Sequence, residues 1–169
     1  MNVSAEPLSR KNIQDIAMQL RKMLGFEKDP FFPIVHFIEW VMANPDVGMD
    51  FEILTEEEMN DTYGMMNTGS NVMRIREDVY NRAVQGNPRD RFTLCHELGH
   101  YLLHQPECIS YARGSIPAYR NPEWQANTFA AELMAPYDLV KNMDVDEIME
   151  KCGMSKTAAT IQYNICHRV

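Results

Sequence analysis

Apolar residues recur three and four positions apart over residues 9–24, where Ile13, Ile16, Ala17, Leu20, Met23 and Leu24 form one stripe of a helix. Gly25 suits its stop, and Asp29-Pro30-Phe31-Phe32-Pro33 breaks the chain. A second apolar helix is predicted over residues 34–42, with Phe37, Ile38, Val41 and Met42 as core, ended by Asn44-Pro45. His36 and Trp40, one turn apart on it, read as packing residues. From Gly48 the period changes. Residues 49–54 have strand-like composition, and Glu56-Glu57-Glu58 fits a solvated turn or short helix. Residues 62–67 and 71–75 flank Thr68-Gly69-Ser70, a hairpin signal, so a small sheet of about three strands is expected within residues 49–76. A short helix over residues 77–85 closes at Gly86.

Two stronger helices follow. Asn87 is a suitable N-cap and Pro88 a suitable first residue, where its missing N–H costs nothing. Asp90 adds negative charge to that first turn, and Pro106 ends the run. Phe92, Cys95, Leu98, Gly99 and Leu102 make a buried face, with His96, His100 and His104 as a neighbouring stripe. Asn121-Pro122 repeats the entry signal for a helix that reaches Pro136. On it Glu123, Ala126, Asn127, Ala130 and Ala131 share a face, and Gly99 offers a gap for these small side chains. Residues 105–120 read as a long loop between the two helices. Past Pro136, an Asp144-x-x-Glu147 cap opens a helix to Cys152, and Ser155 opens a last helix to about Cys166. This pair has the outline of a helix-turn-helix, yet its second helix carries little basic charge and reads as a structural appendage.

The chemistry concentrates in His96-Glu97-Leu98-Gly99-His100, an H-E-x-x-H pattern. Residues four apart on a helix share a face, so both imidazoles can reach one metal ion. Glu97 can then lie beside the open position and take the proton of a water that the metal acidifies. His104 cannot join them: residues eight apart are separated by about 12 Å along the axis, against Zn–N bonds of about 2 Å. It reads as a packing or hydrogen-bonding residue. Glu123 is the expected third ligand, giving a His-His-Glu set with one position left open, as in catalytic zinc sites. Asn127, one turn on, can accept the free N–H of a ligating imidazole. Glu132, half a turn out of phase, is expected to be structural or solvent-facing. In the connecting loop Tyr111, Tyr119 and Arg113 are candidates to donate to a tetrahedral intermediate, against a simple packing role. Cys108 is a candidate to close the open metal position, against the plainer reading of a half-buried thiol.

The run Arg91-Phe92-Thr93-Leu94-Cys95-His96-Glu97-Leu98-Gly99-His100, followed by Glu123-Trp124-Gln125-Ala126-Asn127-x-Phe129-Ala130-Ala131-Glu132-Leu133-Met134-Ala135-Pro136, resembles the ImmA/IrrE metallopeptidase family. The resemblance implies an α+β, zincin-like fold, with one zinc held by His96, His100 and Glu123 and with Glu97 as general base. It also implies a substrate class: small helix-turn-helix repressors, cut to release a mobile element, a stress response or a defence operon. In such a fold an edge strand borders the cleft and can pair with an extended substrate. The other reading is a toxin-like or regulatory binding protein paired with a repressor or antitoxin, with weak or no proteolysis.

Length and composition bound these readings. At 169 residues the chain is expected to form one domain: helices over 9–44, the sheet over 49–76, metal-bearing helices over 88–136 and a C-terminal helical pair over 144–166. Residues 1–11 lack an apolar leader and no run approaches 18 apolar residues, so a cytoplasmic protein with no membrane span is expected. The four scattered cysteines are then reduced thiols. A net charge of −8 speaks against direct nucleic-acid binding.

Overall fold

Six helices among the described residues open on a Ser, Thr, Asn or Asp whose side chain accepts a backbone N–H of the first turn. The computed structural model describes residues 1–168. Strand β1 (Asn2–Ala5) leads into helix α1 (Arg10–Met23), which opens where the Ser9 hydroxyl accepts the Asn12 N–H. Such a cap contributes about 1 kcal/mol. After the break at Pro30 and Pro33 comes α2 (Ile34–Ala43), then β2 (Asp50–Leu54), the short α3 (Glu56–Met59), β3 (Gly64–Asn67), β4 (Val72–Arg76) and α4 (Glu77–Val84).

The expected three-stranded sheet is present, in the order β2-β4-β3. Strands β2 and β4 run parallel, while β3 and β4 form the antiparallel hairpin. Its turn is held by Asn67, whose Oδ1 accepts the N–H groups of Gly69 and Ser70. The hairpin therefore leaves β3 at an edge of the sheet.

Helix α5 (Pro88–Leu103) begins at Asn87, whose Oδ1 accepts from Arg89 and Asp90. The connection after it is not a bare loop. A 3-10 turn at Pro106–Cys108 feeds strand β5 (Ile109–Ala112), which pairs antiparallel with β1 in a second, two-stranded sheet. Another 3-10 turn, Ala118–Arg120, precedes α6 (Pro122–Met134), capped by Asn121. The chain ends with α7 (Tyr137–Val140), α8 (Val145–Cys152) behind the Asp144–Glu147 capping box, and α9 (Lys156–Cys166) behind Ser155.

Helices α5 and α6 cross at Gly99. A Cβ there would stand 3.2 Å from Ala126 Cα and 3.1 Å from Phe129 Cδ1, so only glycine permits this approach without movement of its neighbours. The core around them takes Ile13, Ala17, Ile38, Val41, Cys95 and Leu98 as the apolar pattern predicts. Three expected core residues lie outward instead: Met23 is 83 % exposed, Met42 46 % and Leu102 39 %. Each sits at the margin of its stripe, and buried Leu94 and Leu103 fill the core along α5. His36 likewise does not pack; it is exposed, 3.4 Å from Glu39, and Trp40 is about half exposed against Phe37.

Buried arginines tie the outer helices to this core. Arg91 donates to the carbonyls of Phe32, Cys152 and Gly153, joining α5 to the ends of α8 and of the segment before α2. Arg21 donates to the carbonyls of Phe26, Asp29 and Leu133. Glu132 is structural, as expected, but not solvent-facing. It is 1 % exposed and accepts from Gln14, Gln162 and the Tyr137 N–H. Among the described residues, no helix is long and apolar enough to cross a membrane.

Candidate functional site

Two helix turns and one helix start meet at a single point. His96 and His100 lie one turn apart on α5, with their Nε2 atoms 3.0 Å from each other. Glu123, in the first turn of α6, brings Oε2 to 3.3 Å from His96 Nε2 and Oε1 to 3.3 Å from His100 Nε2. Both helices are phased by an Asn cap followed by proline, and the Gly99–Ala126 approach sets the distance between them.

These separations suit a metal. Four-coordinate zinc with bonds of about 2.0–2.1 Å places its ligand atoms about 3.3 Å apart. The donor set is also right for a borderline cation: two imidazole nitrogens and a carboxylate oxygen. Asn127 prepares one of the imidazoles. Its Oδ1 lies 3.0 Å from His96 Nδ1, so that nitrogen donates its proton and Nε2 keeps a free lone pair. Two imidazoles and a carboxylate gathered this closely could hold one metal ion.

Glu97 lies beside this cluster in a different environment. It is 6 % exposed, and burial pushes its carboxyl up to about 7, helped by the negative charge of Glu123 and opposed by a hydrogen bond from the Met66 N–H. Strand β3 covers it closely: a Cβ on Gly64 would stand 3.0 Å from Glu97 Cγ. His100 is pushed the other way, down to about 3, by burial and by the neighbouring His96 and His104. A neutral imidazole at ordinary pH is the form that can ligate.

The cluster opens into a cleft of about 640 Å³. One wall is β3, through Met66, with Thr68 just beyond it; Asn2 and Val3 of β1 and Ile109 of β5 also line it. The N-terminal strand was invisible to pattern reading. Four residues are too few to show a period, and their partner lies over a hundred positions away.

His104 is placed as a hydrogen-bonding residue, 3 % exposed, between His100 and Gln125. None of the four candidates of the connection belongs to the group formed by His96, His100 and Glu123. Tyr111 is 72 % exposed on β5, Arg113 and Tyr119 are exposed, and Cys108 is a half-buried thiol that does not join the metal-ligand group.

Comparison with known families gives one match: the model of the IrrE N-terminal-like domain, a peptidase family, covers residues 56–162. That span holds β3, the two helices that carry His96, His100 and Glu123, and most of α9. No curated protein and no solved structure matches the chain.

Proposed function

The chain belongs to the IrrE N-terminal-like family of peptidases, and from that premise we propose that it is a zinc-dependent endopeptidase. The observation that carries the reading is the convergence of His96, His100 and Glu123 within bonding reach of one ion, next to a buried carboxylate under an open sheet edge.

A zinc ion held there would supply Lewis acidity toward a water and the scissile carbonyl. The protein's own groups do the rest. His96, His100 and Glu123 would hold the ion, and Asn127, 3.0 Å from His96 Nδ1, would keep that ring turned toward it. Glu97 takes the water's proton on its carboxylate and passes it to the leaving amine. Burial raises this Glu97 carboxylate to about 7, and the positive charge of a bound cation would oppose that rise. Covered by β3, it meets little competing solvent. An extended substrate segment would lie along the free edge of β3, with its scissile bond above the cluster.

The substrate we propose is a small helix-turn-helix repressor, on the strength of the family resemblance, in a cytoplasmic setting. All of residues 1–169 would act as one domain, since α1 packs on α6 and β1 lines the cleft. A binding protein without proteolysis would have no use for a buried base beside the metal.

Co-incubation with small helix-turn-helix repressors encoded near it, with and without a chelator, tests the reading. Two discrete fragments should appear in the presence of zinc and none after chelation. Cleavage that survives complete metal removal would overturn it.

A further inference from the structure

We infer that His104 and Gln125 are positioning residues for the metal centre: their hydrogen bonds hold His100 with its proton on Nδ1 and its Nε2 lone pair turned to the ion. The inference rests on the metal-site reading above.

The argument begins at Gln125, which is fully buried, with Nε2 2.8 Å from the carbonyl oxygens of both Glu6 and Tyr119. Both are acceptors only, so the amide must turn its NH2 toward them and its oxygen away. That oxygen lies 2.9 Å from His104 Nε2, which therefore carries a hydrogen. His104 is 3 % exposed and both its nitrogens meet neutral partners, so the ring is in the form that needs no buried charge. A neutral imidazole has one N–H, and His104 Nδ1 is left as an acceptor. It lies 2.8 Å from His100 Nδ1, whose proton it receives.

What remains is the lone pair of His100 Nε2, 3.0 Å from His96 Nε2 and 3.3 Å from Glu123 Oε1. The opposite tautomer would aim an N–H at the cluster and leave His100 nothing with which to bind a cation. It would also set two lone pairs against each other at the 2.8 Å contact with His104. Asn127 does the same service for His96 through a single bond. For His100 the service takes two side chains, and it reaches further. Gln125 is anchored on Glu6, just after β1, and on Tyr119, just before α6. The Leu8 N–H also donates to that Tyr119 carbonyl. The segments that close the cleft are thereby tied to the orientation of one metal ligand.

The test is a long-range proton–nitrogen correlation spectrum of the full chain with labelled histidine, metal-free at neutral pH, together with a chelator-competition titration of zinc. In the wild type, His100 should carry its proton on Nδ1 and His104 on Nε2. His104→Leu removes the acceptor: both His100 tautomers should appear, and zinc affinity should fall about 10- to 100-fold. His104→Asn, whose amide oxygen can stand near the place of Nδ1, should recover most of that loss. The inference is overturned by a wild-type His100 protonated on Nε2, by a folded His104→Leu with wild-type zinc affinity, or by an Asn variant no better than the Leu one. Should His104→Leu fail to fold, the wild-type spectrum alone decides. A wild type that shows the tautomer but takes up no zinc would support the relay and contradict the metal-site reading.

Discussion

Glu97 is held between opposing influences, and the balance has a measurable signature. Burial raises its carboxyl from an ordinary 4.5 to about 7 in the metal-free protein. A carboxylate raised on folding contributes stability that is fully present below about 4.5 and is lost as pH rises through about 7. Glu97→Gln cannot ionise. Metal-free Glu97→Gln should therefore gain on the wild type in melting temperature as pH rises from 4.5 to 7, and hold a constant lead above that. A difference that ignores pH would show that Glu97 is not buried as described. His100 works in the other direction: depressed to about 3, it favours folding above about 6.5 in both proteins, so it cancels from the comparison.

Asn127 makes a separate demand at the same scale. Asn127→Ala removes the acceptor 3.0 Å from His96 Nδ1 and should cost about 10- to 100-fold in zinc affinity while the helix stays intact. Asn127→Asp should be milder, because a carboxylate still accepts that bond. Wild-type affinity in both, by chelator competition, would contradict the assignment. These residues were legible because their spacing is local: offsets of four and of a single turn are set by helix geometry. Gln125 was not legible. Its partners come from Glu6, His104 and Tyr119, and nothing in the sequence brings those together.

Among elements, the decisive contact is the crossing of α5 and α6. Small residues at Gly99, Ala126 and Ala130 signal it in the sequence, and the structure closes the gap to 3.2 Å between the Ala126 Cα and a Cβ placed on Gly99. Gly99→Val should destabilise the protein by about 1–3 kcal/mol through overpacking. It should also weaken zinc binding, because Glu123 rides on the helix that is pushed away. Unfolding in urea and a zinc titration read the two effects separately. An unstable variant with unchanged zinc affinity would show that the close approach serves the fold alone. Helices and the hairpin were readable from caps, prolines and period. The β1–β5 ribbon was not, because its pairing is a tertiary choice between two four-residue segments, Asn2–Ala5 and Ile109–Ala112.

For the whole molecule, the cluster of His96, His100 and Glu123 joins α5 to α6, so an ion bound there acts on global stability. A ligand present at about 100 times its Kd adds about 2.7 kcal/mol, or about 5–10 °C for a chain of this size. Zinc should raise the melting temperature by that amount in the wild type. His100→Ala and Glu123→Ala should lose the shift, and a full shift in Glu123→Ala would move the third ligand elsewhere. The general outline was legible at this scale too. What escaped was the outer bracing, in which Arg91 and Arg21 donate to backbone carbonyls far away in sequence.

The most direct test of the proposed zinc-dependent proteolysis compares wild type with Glu97→Gln on the proposed substrate, a small helix-turn-helix repressor, with zinc content measured on the same samples. Glu97→Gln keeps the size and polarity of the side chain but cannot accept the water's proton. Both proteins should hold about one zinc per chain. Wild type should cut the repressor at a discrete position, and the variant should do so at least about 100-fold more slowly. Wild-type rates in a zinc-loaded Glu97→Gln would contradict the account.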